Sequence, residues 1–170
     1  MQRTNFSDLA ACSIARTLDV IGEPWSPLIL RDVWVGLRRF DQIQGDLGIS
    51  RKVLTERLNH LVAQGVLERR PYDQRPRHEY HLTQKGTELV DLLMVMTAWG
   101  DRWLAGEAGP PVLLRHHACG EVSRVDLRCA HCGEPMHAGD VDPLPGPGAT
   151  PAGAAPTGAA PTGADTASAG

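Results

Sequence analysis

Two units of the chain carry the residue types that hold metal ions. They are His116-His117-Ala118-Cys119-Gly120 and Cys129-Ala130-His131-Cys132-Gly133. Each has a donor, two intervening residues, a cysteine and a glycine. The glycine suits a tight turn whose backbone amides point at thiolate sulfur. Together His116, Cys119, Cys129 and Cys132 would make a tetrahedral zinc site of three thiolates and one imidazole. His117, His131 and His137 are alternative imidazoles, but only His116 gives the two units matched spacing.

Between the units, Val122-Ser123-Arg124-Val125-Asp126-Leu127 alternates apolar and polar residues and reads as a strand. The segment looks like a small zinc-ribbon-like hairpin. It is too short for much core of its own, so a structural zinc would act as a staple. Reduced thiols on a metal-free hairpin are the alternative. A catalytic zinc of the deaminase type needs a His-x-Glu and a proline before Cys-x-x-Cys. Here Arg128 precedes Cys129 and no His-x-Glu occurs. A thiol redox protein using Cys129 and Cys132 is a second possible function. A thioredoxin-like motif would open a helix within a βαβ pattern, and no such pattern precedes it. A zinc-ribbon protein-interaction module is a third.

The fourth cysteine, Cys12, stands alone in a helical stretch. Arg16 one turn on and the helix N-terminus could lower its pKa, while an inert buried cysteine is the alternative. Met1 to Leu9 include Arg3 and Asp8 and lack the apolar run of a signal peptide. No stretch approaches the roughly 20 apolar residues of a membrane span. These features lead us to expect a cytoplasmic protein with reduced thiols and no membrane partner.

The 170 residues suit one ordinary domain plus appendages, and the net charge of -3 does not announce a nucleic-acid binder. The charge is uneven, however. From Gly48 to Lys85 there are eight basic residues and four acidic ones, a local +4. Such a stretch can attract phosphate inside an acidic protein, although a solvated surface has the same composition.

The elements that would position these charges follow from periodicity. Ile14, Ala15, Leu18 and Ile21 recur at helical spacing, and Gly22 ends the run. Ser26 reads as the cap of a second helix with Pro27 at its first position. Leu28, Ile29 and Val33 would be its buried side, and Gly36 would close it. A short helix runs from about Phe40 to Asp46, and Gly48 turns the chain. Ser50 then caps a helix reaching about Gln64, with Leu54, Leu58, Leu61 and Val62 on one face. Arg51, Lys52, Thr55, Glu56 and Asn59 fall on the other. A short helix, a glycine turn and an amphipathic helix with a basic first turn make a helix-turn-helix pattern.

Gly65 stops that helix. Val66 to Arg70 and Arg77 to Leu82 read as two strands around the turn-rich Pro71 to Pro76. A basic hairpin behind a reading helix is a wing, suited to sugar-phosphate contacts. Thr83 caps a last helix reaching about Leu104. Leu89, Leu93, Met96, Trp99 or Gly100, and Trp103 are spaced for a seam against another helix, from this chain or a second subunit.

These residues resemble the HxlR-type winged helix-turn-helix transcriptional regulators, relatives of the MarR group. The resemblance runs from about Cys12 to Trp103. It is carried by Gly22-Glu23-Pro24-Trp25-Ser26, Leu28-Ile29-Leu30-Arg31-Asp32 and Arg39-Phe40. It continues through Gly48-Ile49-Ser50-Arg51-Lys52-Val53-Leu54-Thr55-Glu56-Arg57-Leu58 and Gly65-Val66-Leu67-Glu68-Arg69. It closes on Glu79-Tyr80-His81-Leu82-Thr83-Gln84-Lys85-Gly86. The resemblance implies a homodimer reading a near-palindromic operator in double-stranded DNA, and not an enzyme. It implies dimer contacts through the first and last helices. A repressor is the expected role, with activation the alternative, since the sign depends on where the site lies relative to the promoter. The resemblance also places Cys12 where some family members carry an oxidant- or electrophile-sensing cysteine.

The expected fold is therefore mainly α with a small β wing: a winged helix-turn-helix, then the zinc-ribbon-like hairpin, then a disordered tail. The expected parts are 1–107 for DNA binding and dimerisation, 108–137 for the Cys/His appendage, and 138–170 for the Ala/Gly/Pro/Thr-rich tail. Ser50, Arg51, Lys52 and Thr55 are the expected reading residues. Arg69, Arg70, Arg75 and Arg77 are the wing candidates, although strand alternation keeps them from all facing DNA. Arg57 is set apart, because its stem can pack while its head pairs with an acid in the body. No small-molecule effector is legible.

Overall fold

A computed structural model describes residues 12–72 and 77–149. Four helices come first: α1 (Ser13–Ile21), α2 (Trp25–Trp34), α3 (Phe40–Leu47) and α4 (Arg51–Ala63). Strands β1 (Leu67–Pro71) and β2 (His78–Leu82) follow, then the long α5 (Gln84–Leu104). Two short strands, β3 (Leu114–Arg115) and β4 (Val122–Ser123), lie beyond it. The fold is mostly helical with a small antiparallel sheet, as a winged helix-turn-helix requires.

The core forms around α2, which packs against α1, α3, α4, α5 and β2. Ile29, Leu30 and Val33 are buried there, with Ile43 of α3 and Leu54, Leu58 and Leu61 of α4. Two polar residues go in with them, Ser26 and Asp32. Arg31 bonds the buried Asp32 through Nε at 2.9 Å and reaches Asp46 of α3 at 2.6 Å. One guanidinium thus ties α2 to α3. Burial still pushes the Asp32 carboxyl above its ordinary pKa, because desolvation outweighs Arg31.

The helix signals mostly act where they were expected. Gly48 sits at φ +63 and Gly65 at φ +67, left-handed positions that end α3 and α4. Ser50 Oγ accepts the Val53 N–H at 3.3 Å, and Thr83 Oγ accepts the Gly86 N–H at 3.1 Å. The start of α2 differs. Pro24 precedes the first helical residue, Trp25, and Ser26 lies inside the first turn with its Oγ buried and unbonded among the described residues. Packing against the core takes Ser26 inward, where it cannot cap. Leu28, expected inside, is 37% exposed, and Leu30 takes the buried position instead.

β1 and β2 pair antiparallel, with Arg69 opposite Tyr80 and Arg70 opposite Glu79. A third segment joins this sheet. The Tyr80 N–H donates to the Arg38 carbonyl at 2.8 Å, and Arg39 bridges Glu79. The link between α2 and α3 therefore serves as an edge of the wing, which locks the wing to the helix-turn-helix. At its other end, the Thr83 N–H donates to the Val66 carbonyl at 3.1 Å. Lys85 Nζ reaches the Gln64 carbonyl at 2.8 Å.

The expected strand from Val122 to Leu127 is short. Leu114 pairs with Ser123 and Arg115 with Val122, and pairing stops there. Leu89 and Leu93 of α5 pack on the core, but Met96, Trp99 and Trp103 are exposed. Residues 138–149 hold a 3-10 turn, Ala138–Asp140, and no other regular element. The rest of the expected tail, 150–170, lies outside the described residues.

Gly86 is buried in the first turn of α5, and a Cβ there would run into the Val66 backbone carbonyl. Backbone cannot yield as a side chain does, so Gly86→Ala is expected to cost about 2–3 kcal/mol. Urea unfolding checks this, and a loss below about 0.5 kcal/mol would refute the close approach.

Candidate nucleic-acid interface

The first turn of α4 is presented by the burial of its opposite face. Leu54, Leu58 and Leu61 are fully buried, so Arg51, Lys52 and Thr55 stand exposed. Arg51 lies over the Phe40 ring, 5.0 Å from its centroid. This cation–π contact steadies the guanidinium without neutralising it. Thr55 Oγ donates to the Arg51 carbonyl at 2.8 Å, and Ser50 is occupied as the cap. Both hydroxyls keep hydrogen-bonding capacity for a further partner. Lys52 is exposed beside them.

A cleft of about 520 Å³ lies between this turn, the start of α3 and the wing. Arg39, Arg51 and Arg77 line it, with Phe40, Tyr72, His78 and Tyr80. Among the described residues, the one carboxylate in its wall is Asp41, 3.9 Å from Arg39 Nε. Three guanidiniums against one carboxylate make a concave electropositive surface. Guanidinium forks match phosphate oxygens, and aromatic edges suit the sugar.

The basic residues singled out from the sequence divide into groups. Arg51 and Arg77 meet in the cleft. Arg69 leaves it, bonding Asn59 of α4 and lying 6.0 Å from the Tyr80 ring centroid. Arg70 pairs with Glu68 at 2.7 Å and stands opposite Glu79, so acids within the sheet meet its charge. Arg75 lies outside the described residues. Arg57 is 18% exposed at its side chain and lies 3.7 Å from Glu23, serving the body of the fold. Arg39 was missed by sequence reasoning. Its signal was the pair Arg38-Arg39 directly before α3, but only the sheet edge shows that it turns to the wing.

Cys12 is exposed and immediately precedes α1, beside the exposed Ile14. Among the metal candidates, Cys119 Sγ and His116 Nδ1 are 3.4 Å apart. Backbone amides of Cys132 and His131 bond the Cys129 thiol and lower its pKa, helped by the Cys132 side chain. Among the described residues, no three His, Cys, Asp or Glu side chains lie together as a metal-holding group. The four candidates thus come as two pairs. No described helix is long and apolar enough to cross a membrane.

Residues 20–108 match the HxlR-like helix-turn-helix family. An uncharacterized HTH-type transcriptional regulator of Mycobacterium tuberculosis is 47% identical over 137 residues, which is 80% of this chain and 87% of that protein. A crystal structure of a protein assigned as a transcription factor superposes with TM-score 0.73 at 36% identity, covering 83% of this chain and 99% of the other. The redox regulator HypR in reduced form superposes with TM-score 0.50 at 32% identity, covering 54% of this chain and 92% of its own. The family match takes in over half the chain, and the similar regulators span most of it: the chain belongs to the HxlR-like helix-turn-helix family of transcriptional regulators.

Proposed function

We propose that this helix-turn-helix regulator is a cytoplasmic homodimer that binds a near-palindromic operator in duplex DNA and represses the adjacent promoter. The observation that carries the reading is the cleft where Arg39, Arg51 and Arg77 meet beside the exposed first turn of α4. α4 enters the major groove, with Arg51, Lys52, Ser50 and Thr55 nearest the bases. Arg77 and Arg39 take the flanking phosphates. A protein seated across two half-sites occludes the DNA it covers, so repression is its direct consequence.

The dimer reading has its own support. Ile14 and Leu18 of α1 are 72% and 42% exposed. Trp99, Trp103 and Leu104 at the end of α5 are more than half exposed as well. Apolar side chains of this size on two helices are costly to leave in water. A second copy covers them and sets two reading helices about one DNA turn apart. Thiol control is a further element of the proposal. Cys12 opens α1 on this surface, so oxidation there would alter the spacing of the reading helices. The superposition on HypR, a redox regulator, is in keeping with this.

Four measurements test the proposal. In a mobility-shift assay on its own upstream DNA, Arg51→Ala/Lys52→Ala should bind at least about tenfold more weakly than wild type. Equal binding would remove these residues from the interface. For about six neutralised phosphates, wild-type affinity should fall about a thousandfold between about 50 and 200 mM salt. Trp99→Asp/Trp103→Asp should sediment as a monomer with intact helical content, and a surviving dimer would place the subunit contact elsewhere. A Cys12→Ser protein should stay on DNA in the presence of oxidant, and its release alongside wild type would eliminate the sensor.

A further inference from the structure

The Cys/His segment folds as two small hairpins with one repeated turn. In the first, the His116 N–H donates to the Glu121 carbonyl at 2.9 Å, and the Gly120 N–H to the His116 carbonyl at 2.8 Å. In the second, the Cys129 N–H donates to the Glu134 carbonyl at 2.8 Å, and the Gly133 N–H to the Cys129 carbonyl at 2.8 Å. The hydrogen-bond offsets are the same in both. Gly120 and Gly133 sit at φ +75 and +77, so the backbone conformations correspond as well. Each turn presents its first and fourth side chains, His116 with Cys119 and Cys129 with Cys132.

Apolar burial contributes little to these hairpins, since Leu114, Val125 and Met136 are only partly buried. From Gly109 to Ala149 no described residue is buried. The strands of the first hairpin are two residues long, and the second closes on a single bridge, Arg128 to Pro135. An isolated hairpin even of ordinary length is marginal in water. The duplicated turn places four soft metal donors at equivalent positions, His116 with Cys119 and Cys129 with Cys132.

We propose that the two turns are half-sites of one structural zinc centre, bound by His116, Cys119, Cys129 and Cys132. Three thiolates and one imidazole are a soft, four-coordinate set that selects zinc and leaves no open position for catalysis. His116 is the imidazole, because it is the histidine that touches a cysteine sulfur. The stretch Arg124–Leu127 between the hairpins lies outside regular structure, which lets the ion draw the pairs together. The four ligands lie beyond α5, outside the helix-turn-helix and its wing.

The test uses the full chain purified under reducing conditions without chelator. Elemental analysis should give about one zinc per chain, with one thiol open to a thiol reagent and all four open after chelation. Cys129→Ser/Cys132→Ser should lose the zinc while keeping its helical circular dichroism and its DNA shift. His116→Ala should release zinc to chelator faster, and His117→Ala at the wild-type rate. Cobalt added to the stripped protein should produce a thiolate charge-transfer band that the double variant lacks. Full zinc in the double variant, no zinc or cobalt binding by wild type, or a disulfide between the two turns would each overturn the proposal.

Discussion

Everything at the interface depends on three leucines. Leu54, Leu58 and Leu61 occupy one face of α4 and are fully buried against α2 and its neighbours. At about 1.5–3 kcal/mol for each buried leucine, no rotation of α4 that exposed them would be tolerated. The helix is therefore held at one angle about its axis. Its first turn, started by Ser50, must carry Arg51 and Lys52 outward. Arg57 rides the same helix at an angle that brings it to Glu23 instead. Burial on one side selects which charges on the other remain available.

The wing extends the same logic through the backbone. Its sheet has two ordered attachments. Arg38 and Arg39 bond the β2 side, and the Val66 carbonyl meets the start of α5, where Gly86 leaves room for it. Within this frame the charges are sorted. Glu68 neutralises Arg70, and Asn59 and Tyr80 hold Arg69 against the body. Arg39, Arg51 and Arg77 are left to share the cleft. The local +4 of the sequence is thus a poor guide to where positive potential gathers, because internal pairing removes part of it.

The remaining surfaces share one property: each has little apolar cover among the described residues. The end of α5 and the outer face of α1 expose aliphatic and indole side chains that the body does not cover. The two terminal hairpins have backbone order without a buried residue. The proposed second subunit and the proposed zinc ion supply what is missing in each case, apolar contact in the first and coordination bonds in the second. Neither requires the helix-turn-helix core of a single chain to change.

Much of this was legible from residues alone. Local signals located most of the elements because they act locally: Gly48 and Gly65 need left-handed backbone, Ser50 and Thr83 cap, and leucine spacing marks a buried face. Element order and the ordered motifs then sufficed for the winged helix-turn-helix. What the sequence could not decide was the partner of each exposed or charged side chain. Ser26 was drawn inward in place of capping, Ile14 was turned outward, and Arg39 reached the wing through a sheet edge with no strand pattern of its own. These outcomes depend on which surfaces meet across long stretches of chain, and neither periodicity nor charge counting carries that information. The tertiary structure decided them, because packing assigns each residue a side of the core and only then leaves its charge free or paired.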